Sequence, residues 1–116
     1  MRRLSAFILL TLSACDSVGS GEPDFGFGYA LAESSAALDG DTLRVVVQYS
    51  GGCEDHTFTP RQRATATGSD LWLVHGGTPD PCEAYLTDSL AVPLALPDGD
   101  APLTLLTPTG GSVRLR

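Results

Sequence analysis

Along the middle of the chain, apolar and polar residues alternate with a period of two rather than 3.6. Leu43, Val45, Val47 and Tyr49 alternate with Arg44, Val46 and Gln48, the signature of a strand with one face buried. Asp39-Gly40-Asp41 before it is a turn signal, so Tyr29 to Leu38 is the expected hairpin partner. Its Ala-Glu-Ser-Ser-Ala-Ala stretch can equally form a helical turn. Thr57 to Arg63 is interrupted by Pro60, which places it at a sheet edge or a bulge because proline donates no ladder hydrogen bond. Leu71 to His75 carries apolar residues on both faces and suits a central strand. Ala84 to Val92, Leu103 to Leu106 and Ser112 to Leu115 complete the set, the last two flanking Pro108-Thr109-Gly110-Gly111 as a closing hairpin. Six or seven short strands with no long helical stretch predict an all-β domain, a compact sandwich or small barrel, loosely Ig-like.

The first residues follow a different pattern. Arg2 and Arg3 precede an apolar run from Leu4 to Leu12, about half the ~20 residues that cross a bilayer, so this is a signal segment. Leu12-Ser13-Ala14-Cys15 resembles the lipobox of bacterial lipoproteins: a branched apolar residue, two small residues and a cysteine. The resemblance implies that the Cys15 thiol takes a diacylglycerol and that cleavage precedes it. Stable anchoring then comes from several acyl chains, each buried methylene contributing about 0.8 kcal/mol. Asp16 to Asp24 is rich in Gly, Ser and polar residues, which suits a tether. The expected organisation is a signal peptide at 1–14, a lipidated cysteine with flexible tether at 15–28, and a folded domain at 29–116.

Removal of residues 1–14 leaves fourteen acidic residues against five arginines, a formal charge of −9, and the chain has no lysine. Such a surface repels nucleic acid and anionic headgroups, so no nucleic-acid partner is expected, and the membrane is reached only through the lipid on Cys15. A cationic protein or peptide is the partner that the charge would favour.

Two segments carry the remaining chemistry: Gly51-Gly52-Cys53-Glu54-Asp55-His56, and His75-Gly76-Gly77-Thr78-Pro79-Asp80-Pro81-Cys82. With Cys15 lipidated, two cysteines remain outside the cytoplasm, and the simplest reading is a Cys53–Cys82 disulfide. A second reading completes a Cys₂His₂ zinc site, or a copper site, with His56 and His75. A third keeps the disulfide and lets it bring His56 and His75 together with Asp55 or Asp80, to hold a metal or to titrate together. Against each stands a histidine that merely bonds backbone at a strand end. Trp72 is expected in the core beside the disulfide.

These segments are similar to small envelope lipoproteins with a G-G-C-x-x-H-x-F stretch, a strand ending in His, and an Asp-x-Cys followed by Ala-x-Leu. Here these are Gly51 to Phe58, Leu71 to His75, and Asp80 to Leu86. The resemblance implies a secreted, disulfide-bonded domain and carries no catalytic residue across. The chain has no G-x-S-x-G, H-E-x-x-H, P-loop or dinucleotide fingerprint, so neither an enzyme nor a cofactor is expected. The expectation is a non-enzymatic binding or structural module, lipid-anchored in the bacterial cell envelope and facing periplasm or exterior. A metal-binding lipoprotein using His56 and His75, and an inhibitor of a secreted hydrolase, are the alternatives.

Overall fold

The computed structural model describes residues 22–96 and 99–116. The expected signal peptide, the lipobox and Cys15 lie outside the described residues. Seven strands follow one another: β1 (Ala30–Asp39), β2 (Thr42–Gly51), β3 (His56–Ala64), β4 (Ser69–Gly77), β5 (Ala84–Pro93), β6 (Leu103–Leu106) and β7 (Ser112–Arg114). They form a three-stranded sheet in the order β1-β2-β5 and a four-stranded sheet in the order β3-β4-β6-β7. Neighbours are antiparallel except β4 and β6, which run parallel.

The period of two places the core. Leu43, Val45, Val47 and Tyr49 from β2 meet Leu71 and Leu73 from β4, Leu103 and Leu105 from β6, and Val92 from β5, all buried. β1 is the partner of β2, joined through Gly40 and Asp41, and its register shifts between Ala32 and Ala37. The shift falls in the stretch whose sequence suited either strand or turn. There the Ser35 hydroxyl donates to the Ala32 carbonyl at 2.6 Å and accepts from the Val46 amide at 2.9 Å, so a side chain takes over where the ladder breaks.

Trp72 departs from the expected core position. It occupies an even position on β4, half-buried on the outer face, with the Arg63 guanidinium 5.5 Å above its ring. The alternation that buries Leu71 and Leu73 turns Trp72 outward, and a cation over the ring covers it instead.

β3 is an edge strand, as Pro60 suggested. The backbone N–H and C=O of His75 bond Phe25 and Phe27 on the side of β4 away from β3. Alternation gives Leu73 the same direction, and its carbonyl accepts from the Tyr29 hydroxyl at 2.7 Å. Pro60, opposite Leu73, therefore sits at a non-hydrogen-bonded position, and the N–H it lacks would have pointed outward from the sheet.

Candidate functional site

The two Cys/His segments meet at one end of the sandwich. Cys53 and Cys82 are disulfide-bonded with Cα atoms 5.8 Å apart, within the ordinary range. The bond ties the β2–β3 loop to the β4–β5 loop. Asp80 reinforces the same junction. One of its carboxylate oxygens accepts from the amides of Gly52, Cys53 and Glu54 at 3.0, 3.1 and 3.0 Å, and the other from the Cys82 amide at 3.0 Å. Three successive N–H groups around an anion form a nest, here filled by a side chain of the protein itself.

From Asp80 a chain of hydrogen bonds runs into the core. The same Oδ2 lies 2.8 Å from His56 Nε2, and His56 Nδ1 lies 2.8 Å from His75 Nε2. His75 Nδ1 ends the chain 3.2 Å from the carbonyl oxygens of both Phe27 and Gly28. These partners assign the hydrogens. Carbonyls only accept, so His75 Nδ1 carries a hydrogen. Burial first of all, and the neighbouring His56 charge in addition, push His75 below its ordinary value against the help of those two carbonyls. A second hydrogen is therefore disfavoured, and His75 Nε2 accepts from His56 Nδ1. Burial works against ionisation of Asp80, but the hydrogen bonds from His56, Cys82, Glu54 and Cys53 outweigh it and hold the carboxyl well below the usual range. His56 Nε2 therefore donates to a carboxylate, which can only accept.

Sequence position explains why a histidine lies so deep. His75 continues the Leu71–Leu73 alternation onto the inner face and is 2% exposed. Its ring stacks on Phe58 with centroids 4.5 Å apart and 9° between planes, while Tyr29 and Tyr49 stand at 5.9 and 4.9 Å. Phe58 opposes His75 across β3 and β4 at a non-hydrogen-bonded position, where facing side chains approach most closely. Two glycines make room. A Cβ on Gly51 would come within 2.6 Å of His56 Nε2 and 2.7 Å of Asp80 Oδ2, and one on Gly26 within 2.1 Å of the His75 carbonyl.

The chain of bonds forms one wall of an open cleft of about 570 Å³, lined also by Phe27, Gly28, Tyr29, Ala30, Gln48, Tyr49, Ser50, Pro79 and Tyr85. Phe27 and Tyr85, 42% and 67% exposed, are the two large hydrophobic side chains most open to solvent among the described residues, and both line it. The Tyr49 hydroxyl donates to Asp88. That bond first, then burial and the nearby Asp88 and Asp80 charges, pushes the phenol up to about 12.

The structure thus joins Cys53 to Cys82 and brings His56, His75 and Asp80 together, while Asp55 stays exposed. The Cys₂His₂ arrangement is superseded, because sulfurs joined to each other are not thiolate ligands. The sulfurs and the Asp80 carboxylate do lie within 4.8 Å of one another. Neither the nest of Asp80 nor the cleft was anticipated. The Asp-Pro-Cys turn signal hinted at the first; the second depends on how the strands are ordered. Residues 25–28, placed in the tether by composition, are held on β4: the Phe27 amide donates to the His75 carbonyl and the His75 amide to the Phe25 carbonyl, at 2.9 and 2.8 Å. No protein-family model matches the chain, and neither does any curated protein or solved structure.

Proposed function

We propose that the chain is a non-enzymatic lipoprotein of the bacterial cell envelope, anchored through Cys15, whose sandwich is a binding module with its ligand seat in the cleft beside Tyr49 and Ser50. The observation that carries the seat is the sharing of one cleft by Phe27 and Tyr85. Exposed aromatic side chains around a partly apolar hollow are what a binding site presents to its ligand. The hydrogen-bond chain supports binding over catalysis. Each nitrogen of His56 and His75 already faces a partner, so none is left as a free base aimed at a substrate. The same occupancy favours an organic ligand over a metal, because coordination would require a ring to give up its partner. The leader, the Leu12-Ser13-Ala14-Cys15 pattern and the disulfide support the address.

Two measurements test the halves separately. Labelled palmitate is expected to enter the wild type and not Cys15→Ala; label persisting in the variant ends the anchoring. A photo-crosslinking amino acid at position 85 is expected to give a discrete adduct in intact cells that the same group at position 72 does not. Equal adducts at both positions, or none at 85, end the seat.

A further inference from the structure

Resting on that reading of the cleft, we infer that its ligand is an extended, basic segment of a partner protein, which pairs with the open edge of β2 at Ser50 and lays a cationic side chain against Tyr85 and Phe27.

The backbone carries the first half. The Val46 amide bonds Ser35 of β1, and the Asp41 carbonyl accepts from Leu94 on the β5 side. Even residues of β2 therefore face β1 and odd ones face β5. Ser50 is even, so its N–H and C=O are directed to the β1 side. The β1 ladder ends at Ala30 opposite Gln48, and Gly28, which would come opposite Ser50, gives its carbonyl to His75 instead. The chain is drawn away to β4 at the point where β2 still has a residue to pair. Ser50 lines the cleft and is exposed. An extended peptide backbone there can exchange two hydrogen bonds with it, as in strand addition to other sheet edges.

Charge carries the second half. Register places Arg44 opposite Ala91, Arg61 opposite Trp72, Arg63 opposite Asp70 and Arg114 opposite Thr104, while Arg116 bonds the Ala101 carbonyl. All five arginines of the folded domain thus lie towards the far ends of their strands or midway. The cleft end carries Glu54, Asp55 and Glu83 in the loops before β3 and β5, with Asp80 paired to His56 and Asp88, midway along β5, bonded to Tyr49. An acidic end with aromatic rings standing in solvent attracts a cation on an apolar stem, through the ring faces and the field together.

The test uses the full disulfide-bonded chain in about 0.15 M salt, where longer-range attraction is screened. The probes are acetyl-Thr-Arg-Thr-amide and its citrulline counterpart, which keeps the shape and loses the charge. The arginine peptide is expected to shift the Ser50 amide in nitrogen–proton correlation spectra, and citrulline to weaken binding about tenfold. Tyr85→Ala, whose side chain is exposed, is expected to weaken the arginine peptide by a similar factor with an unchanged spectrum elsewhere. Equal binding of both peptides at the cleft would overturn the cationic class and leave the cleft a seat for a neutral ligand. Shifts scattered over the acidic surface and indifferent to Tyr85→Ala, or no shift at Ser50 at millimolar peptide, would overturn the inference entirely, with crosslinking from position 85 still judging the seat.

Discussion

A single oxygen of Asp80 accepts from three backbone amides and one imidazole, and this makes the histidine pair sensitive to acid. Because the folded carboxyl is held below its usual range, its contribution is complete above pH ~4 and is lost as pH falls through the folded value. His75 is also held below its ordinary value, so the unfolded chain takes up its proton first. Stability then declines as pH drops from ~6.5 downward. Both signs agree: acid destabilises. The urea midpoint is expected to fall between pH 7 and pH 5 in the wild type and to fall less in His75→Phe, while Asp80→Asn flattens the limb below pH 4. A midpoint that rises on acidification contradicts the neutral state assigned to His75. Gly51→Ala pushes a methyl between His56 and Asp80 and is expected to lower the melting temperature, whereas Gly28→Ala, with open space around the added carbon, leaves it nearly unchanged. The histidines could be singled out from the sequence because few residue types carry such chemistry. Their order in the chain of bonds could not, since it depends on a nest formed 26–28 residues away.

At the scale of elements, the sequence disclosed most where side-chain pattern and backbone chemistry agreed. The β2 alternation, the Asp-Gly-Asp turn and the edge position of β3 could all be read before the fold was known. Trp72 could not be placed, because an aromatic residue among leucines looks like core until the parity of β4 is known. Pro60 leaves the outer edge of β3 short of one donor. Pro60→Thr is expected to restore an outward N–H and raise self-association at high concentration, seen as a larger sedimentation coefficient; an unchanged monomer would show that the edge is protected otherwise. The disulfide closes a loop with a sequence separation of 29. Replacing both cysteines by serine is expected to cost about 3–4 kcal/mol, measured by urea unfolding. A loss below about 1 kcal/mol would mean that the Asp80 nest holds the loops together unaided.

For the whole molecule, composition misplaced the start of the folded unit. Pro23 to Gly28 reads as linker because glycine and proline dominate the residues around two phenylalanines. The structure attaches that segment to β4, by backbone hydrogen bonds with His75 and by the carbonyls that accept from His75 Nδ1. A domain beginning at residue 29 is therefore expected to be less stable than one beginning at residue 22, by about 1–3 kcal/mol for the lost hydrogen bonds. Equal denaturation curves would return the segment to the tether. The all-β class, as a sandwich or a small barrel, was legible from strand count and spacing; the division into two sheets came with the structure. Strand order and the cleft were not, because they arise from long-range pairing such as the parallel contact of β4 with β6.

The attachment of residues 25–28 to His75 has a mechanical consequence. Any pull on the chain upstream of Pro23 arrives first at the Phe25 and Phe27 bonds, and only afterwards at β1. Tension would peel this short segment from β4, uncover His75 and widen the cleft while the two sheets remain closed. A molecule stretched from residue 22 should yield in two steps, a small extension at low force and then rupture of the sandwich; a single rupture would mean that the load bypasses the segment.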